Sequence, residues 1–123
     1  MGLDQYVYAV NRAGEKEKIF YWRKHNRLHG WMEGEWESDG DDFNGEKVWI
    51  DEDLLDRLEN DIRLFRLPKT TGFFFGPDSY GNNGDGSTSE VMKKRQVEND
   101  QRFIEIARER LQDGDKVYYD SSW

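Results

Sequence analysis

Residues 51–68, DEDLLDRLENDIRLFRLP, read as one amphipathic helix, and this stretch restricts the fold more than any other in the chain. Leu54, Leu55, Leu58, Ile62 and Phe65 recur at steps of three and four, while Asp56, Arg57, Glu59, Asn60 and Arg63 take the opposite side. Asp51 stands where an N-capping carboxylate belongs, and Glu52 and Asp53 put negative charge in the first turn, where the helix dipole favours it. Pro68 closes the segment. A helix of this length is marginal alone in water, so its apolar side requires a second layer.

The second layer has to come from a chain in which apolar residues are only 35% and charged residues 36%. Aromatic residues, at 15%, supply the missing burial area, so the core is expected to form around rings. Residues 5–11, QYVYAVN, with the Ala13-Gly14 turn after them, suit a first strand, and 46–50 and 116–119 suit two more. Residues 19–22 either end a strand or begin a helix. Leu28, Trp31, Met32 and Trp36 place a helix over roughly 23–37, weakened by Gly30 and Gly34. Ser87 and Glu90 stand in capping-box relation and open a long helix to about Gln112, with Val97, Ile104, Ala107 and Leu111 as its stripe, Phe103 beside it and Gly114 as its stop. With 123 residues the expectation is one domain of α+β class: a small, mainly antiparallel sheet of three to four strands packed against about three helices.

Several functions are excluded by what the chain lacks. Without cysteine there is no disulfide framework, thiolate metal ligand or thiol nucleophile, and a reducing compartment is expected. No run of eighteen apolar residues occurs, so no membrane association and a cytoplasmic location, that of the host cell if phage-encoded, are expected. Residues 38–45, SDGDDFNG, fail as a calcium loop, because Phe43 and Asn44 stand where a ligand and a glycine are needed. The net charge of −8 is unevenly spread: residues 33–61 carry thirteen carboxylates against Lys47 and Arg57, a balance of −11. This segment repels nucleic acid and offers a surface to a basic partner. The basic run Lys93-Lys94-Arg95 is short and no aromatic-interleaved basic surface is expected to accompany it, which argues against nucleic acid as a ligand.

Three stretches carry a family likeness: MGLDQYVYAV at the start, YWRKHNRLHGW at 21–31 and GFFFG at 72–76. Together they resemble a family of small uncharacterised proteins of tailed bacteriophages and bacterial genomes, whose members begin Met-Gly-Leu-Asp-x-Tyr. The family's second motif, Tyr-Trp-Arg-Lys-x-Asn-x-x-His-x-Trp, is matched by Tyr21, Trp22, Arg23, Lys24, Asn26, His29 and Trp31. The resemblance implies a phage-type accessory protein and carries no activity with it. Residues 81–86, GNNGDG, depart from the more charged and aromatic pattern of the family.

The candidate site residues come from the second and third motifs. On a helix, Trp22, Arg23, Lys24, Asn26 and His29 would share a face able to hold a phosphate or carboxylate in a guanidinium fork beside an aromatic plane. The plainer alternative pairs Arg23 and Lys24 with the acidic segment, gives His29 a backbone carbonyl and puts both tryptophans in the core. In GFFFGPDSYG, Phe73, Phe74, Phe75 and Tyr80 could wall a ligand, or plug the edge of the sheet. His25 and His29 are the only imidazoles; either could act as acid or base, oriented by Asp4 or a loop acid such as Asp78. HNRLH lacks the glutamate of a zinc-protease motif, and no phosphate loop, dinucleotide fingerprint or serine elbow occurs, so no metal or cofactor is expected. The leading expectation is therefore a binding protein for a host protein or a small anionic ligand. The alternatives are a hydrolase or transferase of phosphorylated compounds using His29 with Arg23 on the anion, and an acidic decoy for a host DNA-binding protein. No residue pattern sets an oligomeric state.

Overall fold

The structure, a computed structural model, describes residues 3–36, 46–68, 79–81 and 89–122. Along the chain run β1 (Asp4–Val10), β2 (Lys16–Arg23), α1 (Asn26–Glu35), β3 (Val48–Ile50), α2 (Glu52–Arg63), α3 (Glu90–Gln112) and β4 (Lys116–Ser122). The four strands form one antiparallel sheet in the order β2-β1-β4-β3, so the last strand lies between the first and the third. The fold is α+β, as the segment pattern predicts. No described helix is long and apolar enough to cross a membrane.

The β1–β2 hairpin closes through Asn11. Its side-chain oxygen accepts from the backbone N–H groups of Ala13 and Glu15, its carbonyl accepts from Gly14, and Gly14 takes the positive φ of 83° that the turn requires. In β1, Gln5, Val7 and Ala9 face the helices while Tyr6 and Tyr8 face away. The inward set joins Trp22, Val48, Ile50, Val117 and Tyr119 of the sheet with Leu28, Trp31 and Met32 of α1, Leu54, Leu55, Leu58 and Ile62 of α2, and Phe103, Ile104 and Ala107 of α3.

A bulge between Val7 and Tyr8 resets β2: Val7 pairs with Phe20 but Tyr8 pairs with Lys18. Strict alternation from Tyr21 would turn Ile19 and Glu17 outward. The extra residue instead turns Lys18 and Lys16 outward, lets Ile19 and Phe20 pack against the core, and leaves Glu17 to pair with Arg110 of α3 at 2.8 Å.

Three expected boundaries move. The helix predicted over 23–37 begins at Asn26, because Tyr21 and Arg23 are held in the ladder opposite Tyr6 and Asp4; Lys24 then turns with φ 59°, its N–H donating to Leu3 O at 2.7 Å. The cap expected at Asp51 forms, its carboxylate accepting from Leu54 N at 2.8 Å, but α2 ends at Arg63 and Phe65 is 51% exposed rather than part of the stripe. The third helix starts at Glu90 with Ser89 as its cap; Ser87 lies outside the described residues.

Candidate functional site

Gln5 fixes the corner where β2 hands over to α1. Its amide oxygen accepts from His25 N at 2.7 Å, and its amide nitrogen donates to His25 O at 2.9 Å and to the Tyr119 hydroxyl at 3.2 Å. So held, the His25 ring lies between two partners that are distant in sequence. Nε2 is 2.7 Å from Asp100 Oδ2 and Nδ1 is 2.9 Å from Ser79 Oγ. A carboxylate only accepts, so the ring proton sits on Nε2 and the serine hydroxyl donates to Nδ1 when the ring is neutral. Asp100 Oδ1 accepts from Trp22 Nε1 at 3.1 Å, and Ser79 N donates to Asn26 Oδ1 at 3.0 Å.

This is a serine–histidine–carboxylate chain, and its chemistry depends on access. His25 and Asp100 have no exposed surface and Ser79 has 5%, so a reacting carbonyl cannot approach the serine oxygen in this conformation. The chain instead ties β2, α1, α3 and the 79–81 segment together, with each buried polar group partnered within it. Ser79 lies within the GFFFGPDSYG stretch but is not among its candidate residues, and Asp100 lies outside all three motifs. For Asp100 a signal exists in the sequence: it falls within the α3 stripe, three residues after Val97 and four before Ile104, a carboxylate where an apolar residue belongs.

The predicted residues do not form a single face. Trp22, Asn26 and His29 are buried on the helix side of the sheet, whereas Arg23 and Lys24 are exposed, Arg23 at a register position turned the other way. His29 Nδ1 meets a side chain, the Tyr119 hydroxyl at 2.7 Å. That hydroxyl accepts from Gln5, and its own proton can be donated to His29 Nδ1 when that nitrogen is unprotonated. Burial holds the His29 pKa down at about 4 and pushes that of Tyr119 up, so both groups are neutral near pH 7. Arg23 is thus on the far side of the sheet from the imidazole it was expected to assist. Tyr80 is buried against the Arg27 guanidinium, 4.5 Å from its ring centroid. Phe73, Phe74, Phe75 and Asp78 lie outside the described residues.

The acidic segment is partly neutralised from α3. Arg108 reaches Asp56 at 2.7 Å, Glu59 at 3.0 Å and Glu52 at 3.8 Å, and Arg57 bridges Asp53 and Glu35. These arginines, not Arg23 and Lys24, are the partners of that charge among the described residues.

The opposite face of the sheet carries what the sequence did not disclose. Tyr21 of β2, Tyr6 and Tyr8 of β1, Tyr118 of β4 and Trp49 of β3 form a row across all four strands, with successive ring centroids 5.3, 6.1, 5.3 and 5.1 Å apart. None belongs to the core cluster that the helices cover. Trp49 is 55% and Tyr21 43% exposed, while Tyr118, in the middle strand, is buried beneath its neighbours. Ammonium groups lie over the rings: Lys16 4.7 Å from Tyr8, Lys18 5.8 Å from Tyr6 and 5.5 Å from Tyr21, and Lys47 4.9 Å from Tyr118. Register adds Arg23 and Lys116 to this face, against Asp4 and Asp120. Asp4 accepts a 2.7 Å hydrogen bond from Tyr21, which raises the tyrosine pKa. An aromatic surface interleaved with basic groups therefore exists, contrary to the expectation drawn from the Lys93-Lys94-Arg95 run. Beside Trp49, a groove of about 350 Å³ is lined by Glu35, Trp36, Lys47, Asp51 and Arg57, and one of about 390 Å³ by Ile50, Leu111, Asp115 and Lys116.

No family model, curated protein or solved structure matches the chain.

Proposed function

We propose that the protein acts by binding, and that its recognition surface is the outer face of the sheet rather than the Trp22–His29 region. The observation that carries this reading is the row Tyr21–Tyr6–Tyr8–Tyr118–Trp49 with lysines above it. An antiparallel sheet with one solvated face usually presents polar residues there, and a contiguous aromatic strip is a recognition feature. Each exposed ammonium–ring contact is worth about 0.5–1 kcal/mol, little enough for a ligand to displace. The face suits a partner that is flat and negatively charged, whether a small anion with a ring or a host protein presenting such groups, in keeping with a phage-type accessory role. That role rests on the resemblance read from the sequence alone.

Catalysis by His29 has less support, since its ring is enclosed and kept neutral by burial. The acidic decoy has less support too, because Arg57 and Arg108 already occupy several of its carboxylates.

Titrating AMP, a flat ring bearing a phosphate, into isotopically labelled protein tests the location. Amide shifts are expected at Tyr6, Tyr8, Tyr21, Trp49 and Tyr118. Shifts gathered instead around His25, Ser79 and His29 would overturn the sheet-face reading.

A further inference from the structure

Resting on the sheet face as the binding surface, we infer that its ligand is single-stranded nucleic acid, stacked base by base on the row of rings with its phosphates held by the lysines. Three features of the face point this way together. Stacking needs accessible flat groups at intervals a chain of bases can follow: Tyr21 and Trp49 are exposed and Tyr6 and Tyr8 half-buried, and the buried Tyr118 joins them into one row across the four strands at 5.1 to 6.1 Å. Backbone neutralisation needs cations beside those rings, and Lys16, Lys18 and Lys47 stand within 6 Å of ring centroids, with Arg23 and Lys116 at outward register positions. A cation lying over a ring is already poised to move to a phosphate as a base takes its place.

Charge complementarity decides between this ligand and a cationic one. The chain carries −8, yet among the described residues Lys16, Lys18, Arg23, Lys47 and Lys116 face Asp4 and Asp120, and Asp4 is engaged by Tyr21. The carboxylates in the grooves beside Trp49 are engaged too: Asp51 caps α2, Glu35 pairs with Arg57 and Asp115 with Arg110. The strand bulge produces the separation: it turns Lys16 and Lys18 outward and sends Glu17 to Arg110 on the helix side. The carboxylates of α2 project from the helix layer, where Arg108 gathers three of them. At physiological salt, charges more than about 8 Å away are screened, so that layer does not cancel the attraction at the sheet. A duplex hides its bases within its own stack and could use only the lysines. A single strand uses both groups.

Anisotropy of a labelled oligothymidylate of about twelve nucleotides, long enough for one such platform, provides the test. The oligomer is expected to bind at least tenfold more tightly than a duplex of equal length. Trp49→Ala and Tyr21→Ala, at exposed positions where folding is spared, should each raise Kd roughly five- to hundredfold without altering the salt dependence, and Trp49→Phe should restore most of the affinity. Replacing Lys16, Lys18 and Lys47 by alanine together should weaken binding and flatten the slope of log Kd against log salt by about 2, at about 0.7 for each phosphate no longer neutralised. If the duplex binds equally well, the stacking inference is overturned. If the oligomer does not bind while anionic phosphatidylserine vesicles or a polyglutamate peptide do, and lose binding in the same variants, nucleic acid is overturned and the sheet face stands. If none of these variants changes the binding of any of the probes, the sheet face falls as well.

Discussion

Asp100 places one carboxylate oxygen 2.7 Å from His25 Nε2 and the other 3.1 Å from Trp22 Nε1, with all three side chains shut away from water. One carboxylate in the middle of α3 thereby satisfies two buried donors, one from the end of β2 and one from the cap position of α1. Asp100→Ala strands both donors and leaves a cavity, and the expected loss is about 3–5 kcal/mol, the range for breaking a buried pair from one side. Asp100→Asn keeps one acceptor and should cost less. Urea unfolding followed by circular dichroism measures both, and an Asp100→Ala loss below about 1 kcal/mol would show that the chain does not hold these elements together.

His29 makes stability depend on pH. Burial lowers its folded pKa from 6.5 to about 4, and the ring accepts the Tyr119 proton only while neutral. Between those two values the unfolded chain binds a proton that the folded chain refuses, so stability rises with pH across this window and falls as the solution is acidified through it. The full contribution is on the order of 3 kcal/mol, at about 1.4 kcal/mol per pKa unit. Unfolding free energies measured from pH 7 down to pH 4 should show this slope on top of the titration of the carboxylates, and His29→Gln should remove that share of it.

Periodicity and capping are legible in this sequence; sidedness is not. The α2 helix can be read because Leu54, Leu55, Leu58 and Ile62 mark one face and Asp51 marks the start, both local properties. The predicted site residues share a motif and a chemical type, and type does not say which way a strand side chain points. Arg23 and Trp22 are adjacent in sequence and lie on opposite faces, which only the pairing with β1 decides. The aromatic row is hidden for the same reason. Its five rings come from four strands, and the lysines beside it reach that face through a bulge that breaks the period-two pattern. Asp100 was legible in principle, since a carboxylate interrupting an apolar helical stripe signals a buried partner, and here the partner is one of the chain's two histidines.

Arg108 clamps α2 to α3 through Asp56, Glu59 and Glu52, in a region where carboxylates crowd one another. Removing the guanidinium loses the attraction and leaves the three acids unshielded. Because those acids are largely exposed, the expected cost of Arg108→Ala is modest, about 1 kcal/mol at low salt and smaller at high salt. Thermal unfolding of both proteins at two ionic strengths should therefore show a difference in Tm that shrinks as salt is added. A difference insensitive to salt would mean that the arginine acts through packing of its stem.

Phe65 and Gly114 occupy the same position at the ends of two helices. After α2, Phe65 N donates to Ile62 O and Arg66 N to Asp61 O; after α3, Gly114 N donates to Leu111 O and Asp115 N to Arg110 O. Both are the paired bonds of a helix end whose turning residue takes the left-handed conformation, at φ 56° for Phe65 and 92° for Gly114. Glycine adopts that conformation without penalty, whereas a residue with a side chain is held there at a cost of about 1–2 kcal/mol. Phe65 recovers part of it, its ring lying 4.5 Å from the Lys93 ammonium, an interaction worth about 0.5–1 kcal/mol at an exposed site. Phe65→Gly is therefore expected to stabilise the fold by up to about 1 kcal/mol, with Tm rising by a few degrees. Phe65→Ala keeps the strained backbone and loses the ring, so it should destabilise. Differential scanning calorimetry of the two variants separates the terms, and a fall in Tm for both would show that the ring–ammonium pairing outweighs the backbone.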